Sequence, residues 1–287
     1  MNAQLSLLQT ALQGIPPMQI VDVGANPTEA PSYQPLAEAG LARVTGFEPN
    51  PEAFTKLAAN TPKYAQYINA AVGLPGRHVF NAYAASEMSS VYKICRKATG
   101  FLGNFRRHIG TETEIPMTLS ALDDLSAVPR IDLLKIDAQG AECDVIDGAH
   151  DKLKDAVAVI AEARFYRIYE GEPLLGDLDI ALRKQGFVLH RFVSPKTRML
   201  PNSQFHHVNR KAIASQWIDG DAVYLRSLEE PEDVSDQQLC YLALLASQVF
   251  QSHDLALFVL DEMVTRGLVP SDLPARYVAE LPQRLRA

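Results

Sequence analysis

The segment IDLLKIDAQGAECDVIDGA, residues 131–149, changes its hydrophobic period at the centre. An apolar run from Ile131 ends on Asp137, a glycine follows at position 140, and Glu142 lies in the first turn of a helical pattern. The residues that recur on one helical face include Val145, Ile146 and Ala149. This pattern predicts a strand, a turn and a helix. Asp137 is therefore expected at the carboxyl end of a strand, where ligands bind in open α/β sheets.

Short apolar runs alternate with helical patterns along most of the chain, which is typical of a parallel sheet covered by helices. The predicted strands are Gln19–Val23, Arg43–Glu48, Ala65–Val72, Ile131–Asp137, Ala156–Ala161, Phe187–Phe192 and Ala222–Arg226. Together they predict an α/β fold with one doubly wound, seven-stranded, mostly parallel sheet of the Rossmann-like type.

The predicted organisation is a sheet domain over residues 1–228 and a C-terminal helical extension over residues 229–287. Within the first part, residues 76–125 leave the regular alternation and are predicted to be an irregular insertion on the substrate side. The extension is predicted to be a helical hairpin that turns near Ser252, followed by a short helix. Its first helix carries an apolar stripe made of Leu239, Leu242, Ala246, Val249 and Phe250. Such a stripe must be buried, either against the sheet domain or in a homo-oligomer.

Composition narrows the function classes. A formal charge of -7 and a pI near 5.5 argue against a dedicated binder of nucleic acid or anionic membrane. The chain has 3 cysteines far apart in sequence, which indicates neither a disulfide framework nor a zinc site and favours a reducing, cytoplasmic location. No window is apolar for long enough to predict a membrane span.

Two other predicted strands also end on residues suited to ligand binding. The first runs into Gly24, whose lack of a side chain lets a ligand approach the backbone, with Asp22 and Asn26 as polar neighbours. The second ends on Glu48, where an acid in doubly wound folds accepts hydrogen bonds from ribose hydroxyls. Alternatively, Glu48 only caps the helix that begins near Pro51. The carboxyl ends of parallel strands share one edge of the sheet, so these residues and Asp137 are expected around one crevice.

Several segments together resemble the FkbM-type methyltransferases, a family of S-adenosylmethionine-dependent enzymes with the class I methyltransferase sheet. They are VDVGAN (21–26), GFEPNPEAF (46–54), INAAVG (68–73), MSSV (88–91), TLSALDDL (118–125) and LLKIDAQGAECDVIDGA (133–149). The resemblance covers about residues 18–226, and its most distinctive part is the pattern KIDxxGxE. The sequence departs from the family pattern at Thr28, where many members carry a second glycine.

The resemblance implies methyl transfer from S-adenosylmethionine, with S-adenosylhomocysteine as product. The usual acceptor in the family is a hydroxyl oxygen of a sugar, glycan or natural product, so an O-methyltransferase is expected. By this likeness, Asp22 and Gly24 lie near the methionine part of the cofactor and Glu48 lies near its ribose, and Asn26 belongs to the same cofactor site. Asn69, Ala70 and Ala71 lie near the adenine, and Asp137 lies near the transferred methyl group.

A base that takes the proton of a neutral hydroxyl is useful in such a reaction. The candidates are Asp137, Glu162 and the histidine pair of QFHHVNR, from which His207 is taken as catalytic. Each has a plainer interpretation: Asp137 orders a turn, Glu162 pairs with Arg164 or Arg167, and the histidines lie on an exposed loop. The substrate-side residues are expected to be Ser89, Ser90, Arg164 and His206. No metal is expected.

Two alternatives of other classes stay open. A nicotinamide-dependent oxidoreductase on a similar sheet is disfavoured, because VGANPTE lacks the G-x-G-x-x-G that lets a pyrophosphate approach a helix N-terminus. A non-catalytic scaffold would retain the fold with a lapsed cofactor loop and use the C-terminal hairpin as its interaction surface.

Overall fold

The structure is a computed structural model, and it describes residues 2–25, 30–103 and 109–287. The strands are β1 Met18–Val23, β2 Ala42–Phe47, β3 Ala65–Ile68, β4 Ala71–Val72, β5 Gly76–Ala82, β6 Thr113–Ser120, β7 Leu133–Ile136, β8 Ala158–Arg164, β9 Phe187–Arg198 and β10 Gln216–Arg226. The α-helices are α1 Ala3–Ala11, α2 Gln34–Glu38, α3 Pro51–Ala59, α4 Arg96–Phe101, α5 Glu142–Asp147, α6 Leu175–Lys184, α7 Asp236–Gln248, α8 His253–Thr265 and α9 Leu273–Ala279.

Seven strands form the main sheet in the order β3-β2-β1-β7-β8-β10-β9. Parallel pairing joins β1 to β2 and β7, β2 to β3, and β7 to β8, whereas β10 is antiparallel to both β8 and β9. The predicted doubly wound, mostly parallel α/β sheet is confirmed. The strand order reverses between β1 and β7, so the ligand crevice of such a sheet is expected at the carboxyl ends of these two strands.

The sequence-based prediction is wrong where it joins Ala65–Val72 into one strand. The chain leaves the main sheet after Ile68, and β4 belongs to a separate three-stranded sheet of order β4-β6-β5. The segment predicted to be irregular contains β5 and β6, which pair antiparallel from Gly76 opposite Leu119 to Ala82 opposite Thr113. Their outer face is exposed and β6 contains Pro116, so the apolar alternation that marks a strand in sequence is weak here.

Helices cover both faces of the main sheet. On one face, α5 and α6 pack against the residues of β1 and β7 that include Val21, Val23 and Ile136. On the other face, α1, α2 and the C-terminal helices pack on a set that includes Met18, Ile20 and Leu133. Both faces of the sheet therefore carry a helical layer, as in other doubly wound folds.

The C-terminal segment supplies much of the second layer. α7 begins with a capping box, in which Ser235 and Gln238 each accept the other's backbone N–H. Its residues Leu239 to Gln248 are all buried, in the same core as α1 and β1. The predicted apolar stripe is thus covered inside the chain rather than left for a partner, and residues 229–287 share a hydrophobic core with the sheet.

No helix in the described part of the chain has the length and apolar character needed to cross a bilayer.

Candidate functional site

A cavity of about 660 Å³ opens at the carboxyl ends of β1, β2, β7 and β8. Its volume is in the range usual for small-molecule sites. Of the residues singled out from the sequence, those that line it are Gly24, Glu48, Ala70, Ala71, Ser89, Ser90, Asp137, Glu162 and Arg164. The second sheet closes one side with Phe80, Met117 and Leu119. The cavity therefore lies at the topological switch point and has one apolar wall.

Gly24 brings the end of β1 against the end of β7. Its φ is +84°, and a Cβ atom built there would lie 2.0 Å from the backbone oxygen of Asp137. Its N–H donates to the backbone oxygen of Phe47 at 2.9 Å, which links the turn to β2 as well. A glycine is required here both for the backbone conformation and for the close approach. The contact joins the turn that carries Gly24 directly to Asp137.

Glu48 leaves the sheet directly after β2 and points into the cavity. Its Oε1 accepts the backbone N–H of Asn50 at 2.7 Å, and the Asn50 side chain in turn caps α3. The interpretation of Glu48 as the helix cap is thus wrong. Burial raises the pKa of Glu48 to about 7, the N–H of Asn50 opposes the shift, and the charges of Asp137 and Asp22 add to it. A half-buried carboxylate of this kind gains from hydroxyl donors.

The segment after β3 provides the small side chains of the cavity. Ala70 and Ala71 line it beside Val72, so this part of the wall carries only small apolar side chains. Asn69 is exposed and lies outside the lining, and its Nδ2 donates to the backbone oxygens of Glu48 at 2.8 Å and Pro49 at 3.2 Å. Asn69 therefore positions the loop that carries Glu48.

Asp22 does not reach the cavity. It is 3% exposed and its carboxylate accepts hydrogen bonds from the Tyr33 hydroxyl at 2.5 Å and from Lys135 Nζ at 3.1 Å. The expectation of direct cofactor contact is not supported for this residue, because its carboxylate is already engaged within the core. Asn26 and Thr28 lie outside the described residues.

A buried ion-pair network forms the polar side of the cavity. Arg164 Nη2 lies 2.7 Å from Glu162 Oε2, and the guanidinium also contacts Asp219 at 3.1 Å and Glu172 at 3.3 Å. Burial raises the pKa of Glu162, and the Arg164 charge opposes the rise. Arg164 is only 5% exposed and already meets these carboxylates, so it is poorly placed to bind an anionic substrate group.

Lys196 reaches the same network from β9. Its Nζ lies 2.9 Å from Asp219 Oδ1 and 3.5 Å from Glu162 Oε1, and its side chain remains 66% exposed. Sequence reasoning missed Lys196, Asp219 and Glu172. Lys196 lies in a segment with only weak apolar alternation, and the acids resemble ordinary surface residues in sequence, so no local pattern could have identified them.

Three carboxylates also approach one another at the end of β7. Single oxygens of Asp137, Glu142 and Glu162 all lie within 4.8 Å of one another. Glu142 accepts the backbone N–H groups of Ala138 and Gly140 at 3.0 to 3.2 Å, and burial raises its pKa to about 7. Backbone N–H groups thus bind the Glu142 carboxylate, and Arg164 binds that of Glu162. The sequence predicts Asp137 and Glu162 as candidate bases but predicts no role in the site for Glu142, because an acid in the first turn of a helix is an ordinary feature.

The predicted substrate-side residues divide into two groups. Ser89 and Ser90 line the cavity, but their hydroxyls bind the protein: Ser89 accepts the N–H of Tyr83, and Ser90 donates to the backbone oxygen of Gln139 at 2.6 Å. His206 and His207 are exposed and are not part of the lining. The structure therefore does not bring His207 to the site as a base or His206 as a substrate contact.

A family model described as the methyltransferase FkbM domain matches residues 22–189, which is more than half of the chain. The chain belongs to the FkbM methyltransferase family. The match includes Gly24, Glu48 and Asp137, whereas Lys196 and Asp219 lie beyond it. A comparison with curated protein sequences gave no match.

Solved structures of methyltransferases are similar to this FkbM protein in fold. One is magnesium protoporphyrin IX methyltransferase from Synechocystis PCC 6803 with bound SAM, at 14% identity, covering 78% of this chain and 79% of that one, with a TM-score of 0.35. Another is TYW2 from M. jannaschii in complex with AdoMet, at 14% identity, covering 79% and 78% of the two chains, with a TM-score of 0.34. A SAM-dependent methyltransferase from Aquifex aeolicus shares 8% identity over 78% and 90%, with a TM-score of 0.32.

Proposed function

We propose that this FkbM-family protein transfers the methyl group of S-adenosylmethionine to a hydroxyl oxygen of an uncharged acceptor such as a sugar, glycan or natural product. The observation that carries the proposal is the convergence of Gly24, Glu48 and Asp137, from three separate strand ends, on one cavity at the switch point of the sheet.

The residues on one side of the cavity fit the cofactor. Gly24 lines the cavity with backbone atoms only, and Glu48 offers a carboxylate to the ribose hydroxyls. Ala70 and Ala71 offer small apolar side chains against which a flat heteroaromatic ring can pack. Within the described residues, Asn50 makes the one hydrogen bond to the Glu48 carboxylate, which leaves Oε2 for a ligand.

The charge of the cavity supports an uncharged acceptor. Among the described residues, six carboxylates line it, from Glu48, Glu52, Glu87, Asp137, Glu162 and Asp219, against the three cations Lys56, Arg164 and Lys196. An excess of negative charge attracts a sulfonium donor and repels phosphorylated or carboxylated acceptors. The cavity also has the apolar wall with Phe80, Met117 and Leu119, so an acceptor with one apolar face and several hydroxyls fits best.

S-adenosylmethionine supplies a methyl group already activated by its sulfonium. The protein's main contribution is then to align the acceptor oxygen with that group and to exclude water. Asp137 lies at the junction of the cofactor side and the ion-pair network, where its carboxylate can accept the hydroxyl hydrogen bond and orient the oxygen. Glu162 is less suited to take a proton, because Arg164 and Lys196 both bind its carboxylate.

The test of the cofactor site is calorimetric titration with S-adenosylhomocysteine of the wild type, Glu48→Ala and the surface control Glu38→Ala. We expect micromolar binding that is weakened at least tenfold in Glu48→Ala and kept in the control, because two charge-assisted hydrogen bonds are lost. No binding by the wild type would refute the proposal and favour the non-catalytic alternative.

The acceptor is then sought with S-adenosylmethionine labelled in its methyl group. Neutral glycosides and polyhydroxylated natural products are compared with sugar phosphates, nucleotide sugars and amines, and the methylated atom is located by mass spectrometry and NMR. We expect label only in uncharged hydroxyl compounds. Preferential labelling of phosphorylated acceptors or of amines would contradict the acceptor class.

A further inference from the structure

We propose that Gln139 is a positioning residue of the methyl-transfer site, whose side-chain amide holds the Asp137 carboxylate in the orientation that favours the cationic donor over the neutral product. The inference rests on the proposed function, since it concerns the same cavity.

The Gln139 side chain is bound at both ends. Its Nε2 donates to Asp137 Oδ1 at 2.6 Å and to Glu162 Oε2 at 3.2 Å, so each carboxylate receives an N–H of the amide. Its Oε1 lies 3.0 Å from the Tyr169 hydroxyl and 3.5 Å from Arg164 Nη2. An amide with all its polar atoms engaged has one favoured orientation. The carboxylate that it binds through one oxygen therefore presents the other oxygen in a defined direction.

The backbone at Gln139 is held in an unfavourable conformation. Its φ is +51°, in the left-handed region that non-glycine residues rarely adopt. The surrounding contacts maintain it: the Ser90 hydroxyl donates to the Gln139 backbone oxygen at 2.6 Å, and Glu142 binds the N–H groups on either side of Gln139. Strain of this kind in a residue that lines the cavity indicates a role in the site.

The amide also separates charges that would otherwise repel. Oxygens of Asp137 and Glu162 lie within 4.8 Å of each other, and like charges at such distances repel each other. An N–H donor shared between them offsets this repulsion. Within the described residues, the other Asp137 oxygen accepts no hydrogen bond, so it is available to face the sulfonium or the acceptor hydroxyl.

Loss of the amide should therefore reduce discrimination between the donor and the product. If the carboxylate turns from about 4 Å to about 6 Å from a unit positive charge, the lost attraction lowers the affinity for that charged ligand roughly tenfold at an effective dielectric constant of about 20. S-adenosylmethionine carries that charge at its sulfur and S-adenosylhomocysteine does not. Binding of the product should change little, because its sulfur carries no charge on which the Asp137 carboxylate could act.

The experiment measures the dissociation constants of both compounds by calorimetry for three variants. Gln139→Met keeps the length of the side chain and removes its N–H groups. Gln139→Asn tolerates the left-handed backbone better but is too short to reach both carboxylates, so it keeps the test valid if the methionine variant folds poorly. Gln251→Met is the matched control, since Gln251 has a φ of +52° and is exposed in the turn between α7 and α8.

We expect the ratio of the product's dissociation constant to the donor's to fall about tenfold in both Gln139 variants and to be unchanged in Gln251→Met. A wild-type ratio in a Gln139 variant that binds the product normally would overturn the inference. Equal weakening of both compounds would also overturn it, because it would indicate a purely structural role. Failure of the wild type to bind S-adenosylhomocysteine would instead refute the proposed function, and this inference with it.

Discussion

Replacing Gly24 by alanine tests the closest contact at the switch point of the sheet. The added Cβ would lie 2.0 Å from the Asp137 backbone oxygen and 2.9 Å from its carbonyl carbon. Neither atom belongs to a flexible side chain, because both are part of the backbone just after β7. To reach an ordinary contact of 3.4 Å, the ends of β1 and β7 would have to separate by roughly 1.4 Å.

The expected loss of stability has two parts. A left-handed φ of +84° costs an alanine about 1 kcal/mol relative to glycine. Overpacking between rigid elements costs typically about 1–3 kcal/mol, and the upper part of this range applies because two backbones must move. We therefore expect Gly24→Ala to lower the free energy of unfolding by about 3–4 kcal/mol, a large fraction of the stability of a typical domain.

Urea denaturation followed by circular dichroism measures this change against Gly40→Ala. Gly40 has a similar φ of +77°, but no described atom lies within 4 Å of a Cβ built there, so alanine should cost only the backbone part, about 1 kcal/mol. The difference between the two variants isolates the contact with Asp137. Equal destabilisation of the two variants would refute the close approach of β1 and β7, and with it the geometry of the cavity at the ends of these strands.

Three further outcomes are expected. Deletion of residues 229–287 exposes one face of the main sheet, so it should give an insoluble or molten protein that binds 8-anilinonaphthalene-1-sulfonate. A folded, soluble fragment would contradict the shared core. Binding of S-adenosylhomocysteine should weaken by up to about tenfold per pH unit below pH 7, since the ionised form of Glu48 accepts the hydroxyl hydrogen bonds. Calorimetry on Glu48→Gln should show weaker binding whose affinity changes less with pH. Arg164→Met should lower the unfolding free energy by about 3–5 kcal/mol, because it leaves the buried Glu172 without a cation and leaves Glu162 and Asp219 with Lys196 alone. Arg183→Met, at an exposed pair, should cost less than about 1 kcal/mol by the same urea assay.

Much of the architecture could be predicted from local patterns. The strand and helix periods alternate along the chain, and a parallel sheet places the carboxyl ends of its strands at one edge, so the convergence of Gly24, Glu48 and Asp137 follows from their positions in the sequence. The C-terminal stripe was recognised as buried, but its partner was left open, because an apolar face does not identify the surface that covers it.

The contacts of ionisable side chains were harder to predict from the sequence. The position of Asp22 before a glycine turn favoured a ligand contact, yet Lys135, at a separation of 113 residues, binds it inside the core. Arg164 was expected to contact a substrate, yet Asp219, at a separation of 55 residues, is one of its partners. His207 follows no strand end, so nothing local determined where its loop would lie.

The sequence by itself determined where the strands end and which polar residues follow them, because hydrophobic periodicity and turn residues act over a few neighbouring positions. Only the tertiary structure decided which of the ionisable groups face the cavity and which neutralise one another. That choice depends on desolvation and on distances between charges from strands far apart in the chain, as in the contacts of Gln139 with Asp137 and Glu162.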